Sequence, residues 1–235
     1  MANENDLSRL NGEYIEKMGA ELGSLYTELS EECIWLNNLW NQYVQLYGTS
    51  QERLDILEFA AEHFFYLVQK AFFEGTLLNL SRITDPTEMG WGKSKRENVT
   101  VKRLPKLVEL RILPEVESRL QSIDADVEFA RDWRNRRIAH ADWHLAITGT
   151  AKPLEPVTRK QVEAAISAIG ELLNFVQEHY VGSTTAFGHL TAHGQAGDLL
   201  EALNVVYVQE QEFQSRLSSD TLTSEDLIRR SRNPI

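Results

Sequence analysis

The sequence predicts an all-α fold: an up-and-down bundle of four main helices, with short helices between them and a C-terminal helical extension. Three observations predict it. Apolar residues recur at steps of three and four along most of the chain, strand-like alternation is almost absent, and the breaks between periodic stretches are short. The 235 residues are 42% hydrophobic, which supplies a real core and excludes wholesale disorder.

The first main helix carries Leu22, Leu25, Leu29, Cys33, Leu36, Trp40, Tyr43 and Tyr47 on one stripe. Gly48 stops it, and Thr49 with Glu52 reads as a capping box for the next helix. That second helix has Leu54, Leu57, Ala61, Phe64, Val68 and Ala71 on one stripe and Phe65, Phe72, Phe73, Leu77 and Leu80 elsewhere. A helix apolar nearly all round belongs at the centre of a bundle. It ends near Asp85-Pro86, because proline disfavours a helical residue before it.

Residues 85–99 read as a polar loop, and a short helix over Val101–Leu110 follows, capped by Thr100. The third main helix carries Val116, Leu120, Ile123, Val127 and Ala130. A loop through Pro153 and Pro156 leads to Thr158, which caps a helix with Val162, Ile166, Ile169, Leu173, Val176 and Tyr180. After Gly182 the pattern breaks, giving a bundle over 1–182 and an extension over 183–235. The extension holds one helix at about 198–217, a polar tail and a basic tip of Arg229, Arg230 and Arg232.

Charge and composition narrow the function. With 24 basic and 35 acidic side chains the net charge is −11, which argues against nonspecific duplex-DNA binding. Positive charge is nevertheless concentrated mid-chain, in Lys93, Lys95, Arg96, Lys102, Arg103, Lys106 and Arg111, and again in Arg131, Arg134, Arg136 and Arg137. No apolar run is long enough to span a membrane, and the start MANENDLSRL carries no apolar signal core. The single cysteine, Cys33, reads as core and excludes an internal disulfide or a multi-cysteine metal site. A cytoplasmic protein with no membrane partner is expected.

The third helix holds the anomaly. Its apolar stripe, continued by four residues, lands on Arg134. An unpaired guanidinium facing a bundle is costly, so Arg134 reaches a carboxylate, extends to solvent, or lines a cleft that needs positive charge. Glu74 and Asn79 of the second helix are candidate partners. His140 stands six residues on, about 240° around a regular helix from Arg134. The two converge only if the helix loosens near Ala139, or if a second copy of the chain supplies one of them. The spacing therefore points to a helix-end site or a symmetric dimer seam.

The stretch Arg134-Asn135-Arg136-Arg137-Ile138-Ala139-His140 resembles the signature of HEPN domains: an arginine, a polar neighbour, and a histidine a few residues later. Leu80-Ser81-Arg82-Ile83-Thr84-Asp85-Pro86 and Arg137-Ile138-Ala139-His140-Ala141-Asp142 are similar to two stretches of the AbiU-like abortive-infection branch. The likeness covers roughly residues 20–185. It implies a helical bundle that pairs into a homodimer and cleaves RNA without a metal, with Arg134, Asn135 and His140 as catalytic residues. It also implies a setting in phage defence or a toxin–antitoxin pair, with an antitoxin or nucleotidyltransferase partner. Related toxins silenced by such a transferase often have a tyrosine two residues after the histidine. Asp142 stands there, so inhibition by that modification is not expected.

The residue types fit. RNA carries its own nucleophile, the ribose 2′-hydroxyl, and a histidine suits proton transfer near neutral pH. Arginine stays charged and its fork matches phosphate oxygens, while Asn135 orients the phosphate or fixes the histidine tautomer. The products would be a 2′,3′-cyclic phosphate and a 5′-hydroxyl, and DNA would be left intact. Arg131, Arg137, Lys102 and Arg103, with Lys106 beside them, are the candidate substrate-binding residues.

Arg82 and Asp85 read as an ion pair or cap at the helix end. Trp91, Trp133 and Trp143 read as packing residues, with base stacking as the alternative. His140, Asp142 and His144 imitate a metal site but lack a third strong ligand, so neither metal nor cofactor is expected. Two other functions stay open: a HEPN module that binds nucleotide or RNA without cutting, and a helical interaction protein in which Arg134 belongs to a structural ion pair.

Overall fold

The computed structural model describes residues 4–90, 92, 95–140, 142–188, 194–223 and 226. Trp91, Lys93, Arg229, Arg230 and Arg232 lie outside them. The fold is all-α. Its helices are α1 (Glu4–Met18), α2 (Ala20–Tyr47), α3 (Gln51–Ile83), α4 (Leu113–Asp126), α5 (Glu128–Trp133), α6 (Arg159–Val181) and α7 (Ala196–Ser218). Among the described residues, strand is confined to a two-residue antiparallel ladder, β1 (Glu88–Met89) with β2 (Arg96–Glu97), inside the stretch expected as a loop.

Contacts divide the chain into two units otherwise than at residue 183: one from Met1–Asn41 with Ala71–Thr191, the other from Gln42–Lys70 with Ala192–Ile235. In the first unit α4 and α1 both pack on α6. Tyr26, Leu29, Cys33 and Leu36 of α2, Leu77 and Leu80 of α3, Val116 and Ile123 of α4, and Ile169, Leu172 and Leu173 of α6 are fully buried. The Tyr26 hydroxyl donates to Gln177 Oε1 at 2.9 Å inside this core. Burial pushes the Cys33 thiol up to about 12, as befits a packing residue.

Helix α1, unmarked by periodicity in the sequence, turns into α2 at Gly19 (φ +85°). A Cβ at Gly23 would stand 2.6 Å from the Ile15 backbone nitrogen, so only glycine lets the two helices meet there. Residues 183–188 pack on α6 instead of opening an extension. Asn174 exchanges hydrogen bonds of 3.0 and 2.7 Å with the Thr185 backbone, and Phe187 is buried against Gly170.

In the second unit, Gln42 and Gln45 of α2 accept the Ala196 and Gly197 N–H groups at 2.7 and 2.9 Å. These side chains satisfy the open donors at the start of α7. Helix α3 begins one residue later than the capping box at Thr49 required, and Ser50 supplies the hydroxyl that meets the Glu52 carboxylate. The expected central position of α3 fails over this half: Phe64 is 59% and Leu67 50% exposed. Ala61 is extended (φ −170°, ψ 75°), which resets the helical phase, so the stripe from Leu54 to Ala71 is not one line. An all-round apolar sequence specifies no face: Ile56, Leu57 and Phe65 are buried in its first half, and burial is densest over its Thr76–Ile83 end.

Candidate functional site

The site is built where α3 ends and α5 opens. Thr84 and Asp85 close the last turn of α3, and the Thr100 hydroxyl lies 3.0 Å from the Ile83 carbonyl and 2.8 Å from that of Asp85. The same hydroxyl oxygen accepts the Lys102 N–H and so caps the 3₁₀ helix Val101–Lys106, where the sequence led us to expect a short helix. The expected long third helix divides at Val127 (φ −103°, ψ 3°) into α4 and α5.

Past Trp133 the backbone widens. Over Arg134–Ile138 the helix is of π type, and Ala139 N–H reaches back five residues to the Arg134 carbonyl at 2.8 Å. Such a loosening is one of the two routes by which Arg134 and His140 converge, a second copy of the chain being the other. Asp142 N–H then returns to the Arg136 carbonyl at 3.1 Å, and Asp142 Oδ1 accepts the Leu145 N–H at 2.8 Å. A second π turn, His144–Thr148, ends at Gly149 in the left-handed region.

Arg134 is held on two sides. Its Nη1 donates to Asp85 Oδ1 at 2.5 Å and its Nε to Asn135 Oδ1 at 3.1 Å; the paired side chains are 18% and 11% exposed. Among the described residues its Nη2 has no partner. The carboxylate is therefore Asp85, not Glu74 or Asn79. Arg82 does not pair with Asp85 either; it meets Glu32 and the Asn79 carboxamide oxygen. His140 is exposed, and among the described residues its imidazole has no hydrogen-bond or ion-pair partner.

The candidate substrate-binding cations are placed differently from one another. Arg131 bonds Asp124 Oδ1 at 2.5 Å and the Thr84 carbonyl at 3.1 Å, and Lys102 meets the same carboxylate at 2.8 Å. Arg103 holds the β1–β2 segment through the Asn98 and Thr87 carbonyls and Glu97. Arg136 joins Asp132 and the Lys152 carbonyl. Arg137 is exposed, 6.0 Å over the Trp133 ring, with no carboxylate partner among the described residues. Trp133 donates its Nε1 proton to the Glu155 carbonyl at 3.0 Å and packs edge-on against Phe73, a structural role. Trp143 is 64% exposed. No helix of the described residues is long and apolar enough to cross a membrane.

Asp124 ties Lys102 and Arg131 together. Burial pushes its carboxyl upward, but hydrogen bonds and charge from these two cations outweigh that and hold it below the ordinary value. A carboxyl lowered by folding stabilises above its unfolded value of about 3.9, and that contribution fades as pH falls through the folded value. Asp124→Asn is therefore expected to be less stable than wild type at pH 7, and the gap should close below about pH 4. Urea unfolding at stepped pH checks this; a gap that persists in acid would place the effect elsewhere.

The sequence signal that was missed is Asp85 as the anchor of Arg134. The two are 49 positions apart, and the only local sign was a carboxylate before a proline at a helix end. A HEPN family model, described as AbiU2, matches residues 19–199. No curated protein and no solved structure matches the chain.

Proposed function

The chain belongs to the HEPN family described as AbiU2, and on that footing we propose that it is a metal-independent endoribonuclease acting as a homodimer in the cytoplasm. His140 takes the proton of a ribose 2′-hydroxyl as that oxygen attacks the adjacent phosphorus. Arg134 meets the developing charge on the non-bridging oxygens through its open edge, and Asn135 fixes the guanidinium plane. The products are a 2′,3′-cyclic phosphate and a 5′-hydroxyl. The biological setting is phage defence or a toxin–antitoxin pair, with an antitoxin or nucleotidyltransferase as partner.

One observation carries this reading. A guanidinium tethered on two sides, with Nη2 open, begins a widened turn, and two residues past the end of that turn stands an exposed imidazole with no partner among the described residues. A purely structural pair would not call for the second feature. The exposed apolar Trp143 and Ile147 beside the turn support the apposition of a second copy or of unpaired bases.

A second reading is favoured by the Arg134–Asp85 pair itself: a helical binding or interaction protein in which that pair is structural. The deciding assay incubates end-labelled total tRNA and a structured RNA with the protein in EDTA. Cleavage leaving cyclic-phosphate ends, with DNA of the same sequence intact, is expected. Tight RNA or nucleotide binding without cleavage would instead identify a binding module.

A further inference from the structure

Attack by a 2′-hydroxyl requires two proton transfers, and His140 performs one of them. A second proton must reach the 5′ oxygen as its bond to phosphorus breaks. Arginines on this segment do not release protons at working pH, and the Asp142 carboxylate accepts the Leu145 N–H. His144 remains.

Its setting suits the task. His144 Nδ1 lies 3.2 Å from Thr150 Oγ1 and 3.4 Å from Thr148 Oγ1, and the two hydroxyls are 2.7 Å apart. The Thr148 hydroxyl donates to the His144 carbonyl at 3.1 Å and its oxygen accepts the Thr150 N–H at 3.4 Å and the Thr150 hydroxyl at 2.7 Å, which leaves the Thr150 oxygen as the acceptor for Nδ1–H. With Nδ1–H donated in this way, a second proton can sit only on Nε2. It is therefore the imidazolium form of His144 that carries a proton to release outward and returns to the neutral Nδ1–H tautomer afterwards. Among the described residues Nε2 has no partner, and the side chain is exposed.

The backbone keeps the two histidines on one segment. The Ala139 and Asp142 N–H groups are bound to the Arg134 and Arg136 carbonyls, and Asp142 caps the turn on which His144 begins. Four residues of chain span at most about 14 Å, so His144 stands on the same short stretch of chain as His140 and Arg134.

We propose that His144 is the general acid of the reaction, passing its Nε2 proton to the departing 5′ oxygen while His140 accepts the 2′ proton. This rests on the ribonuclease reading above. One P–O bond forms and one breaks, one proton leaves O2′ and one joins O5′, and no other reactant is needed.

A leaving group that requires no proton tests it. Once the cleaved linkage is mapped with wild type, the same RNA is made with sulfur in place of the bridging 5′ oxygen. A thiol has a pKa of about 8.5, so its thiolate departs unprotonated. His144→Ala, with His144→Gln alongside to keep a hydrogen-bonding group on the threonines, should cut the oxygen linkage about 10²–10⁴-fold more slowly. Both variants should cut the sulfur linkage at the wild-type rate, whereas His140→Ala is impaired on both. Equal losses on oxygen and sulfur, or an unimpaired His144→Ala, would overturn the acid role while leaving the ribonuclease in place. A wild type that cuts neither RNA would overturn the ribonuclease reading itself, and the acid role with it.

Discussion

His140→Ala is expected to cut RNA about 10²–10⁴-fold more slowly than wild type while unfolding at the same temperature. The two readouts are separable because the imidazole is exposed and has no partner among the described residues. Removing a surface group of this kind changes stability by no more than about 0.5 kcal/mol. A histidine kept at the end of a helical turn only for its interaction with the backbone dipole would behave otherwise. Its removal would cost roughly 0.3–1 kcal/mol and leave cleavage untouched. Initial rates on the mapped RNA together with a melting curve distinguish the two. A stable variant with wild-type cleavage would remove His140 from the chemistry.

How far this site was legible follows from which residues answer to local rules. Helix α6 reads from its Thr158 cap to Tyr180 because cap and stripe are set by neighbours three and four residues away; the cap and the stripe from Val162 to Val176 occur as read, and Tyr180 is half-buried. The stripe on α2 from Leu25 to Trp40 is buried for the same reason. Position and partner diverged where the deciding contact is remote. Arg134 stands out as a charge on an apolar line, yet its anchor Asp85 lies just past the end of α3, and nothing in either neighbourhood ties them. Arg131, Lys102 and Arg103 are basic in sequence, but carboxylates and carbonyls brought by tertiary packing engage them. The loosened turn was legible only as a condition: two residues six apart meet if the helix opens. Widening begins at Arg134 itself, earlier than the Ala139 neighbourhood where that condition was placed.

Arg134→Ala is expected to lose both cleavage and about 3–5 kcal/mol of stability, since it leaves the Asp85 carboxylate, 11% exposed, without its partner. That result alone cannot assign the guanidinium, because a structural pair predicts the same instability. Arg134→Lys separates the roles. An ammonium restores the charge opposite Asp85, so most of the stability should return, whereas one point charge cannot hold Asp85, Asn135 and a phosphate in a single plane. Cleavage should therefore stay about 10²–10³-fold down, the usual loss on removing a transition-state donor. Asp85→Ala completes the comparison, because Arg134 and Asp85 touch and their effects should not add. The double alanine variant is expected to fall short of the summed single losses by about 0.5–3 kcal/mol in urea unfolding. Cleavage in Asp85→Ala, where Nη1 loses its tether but the open edge survives, should exceed that in Arg134→Lys. The reverse order would mean that the carboxylate, and not the guanidinium, meets the substrate.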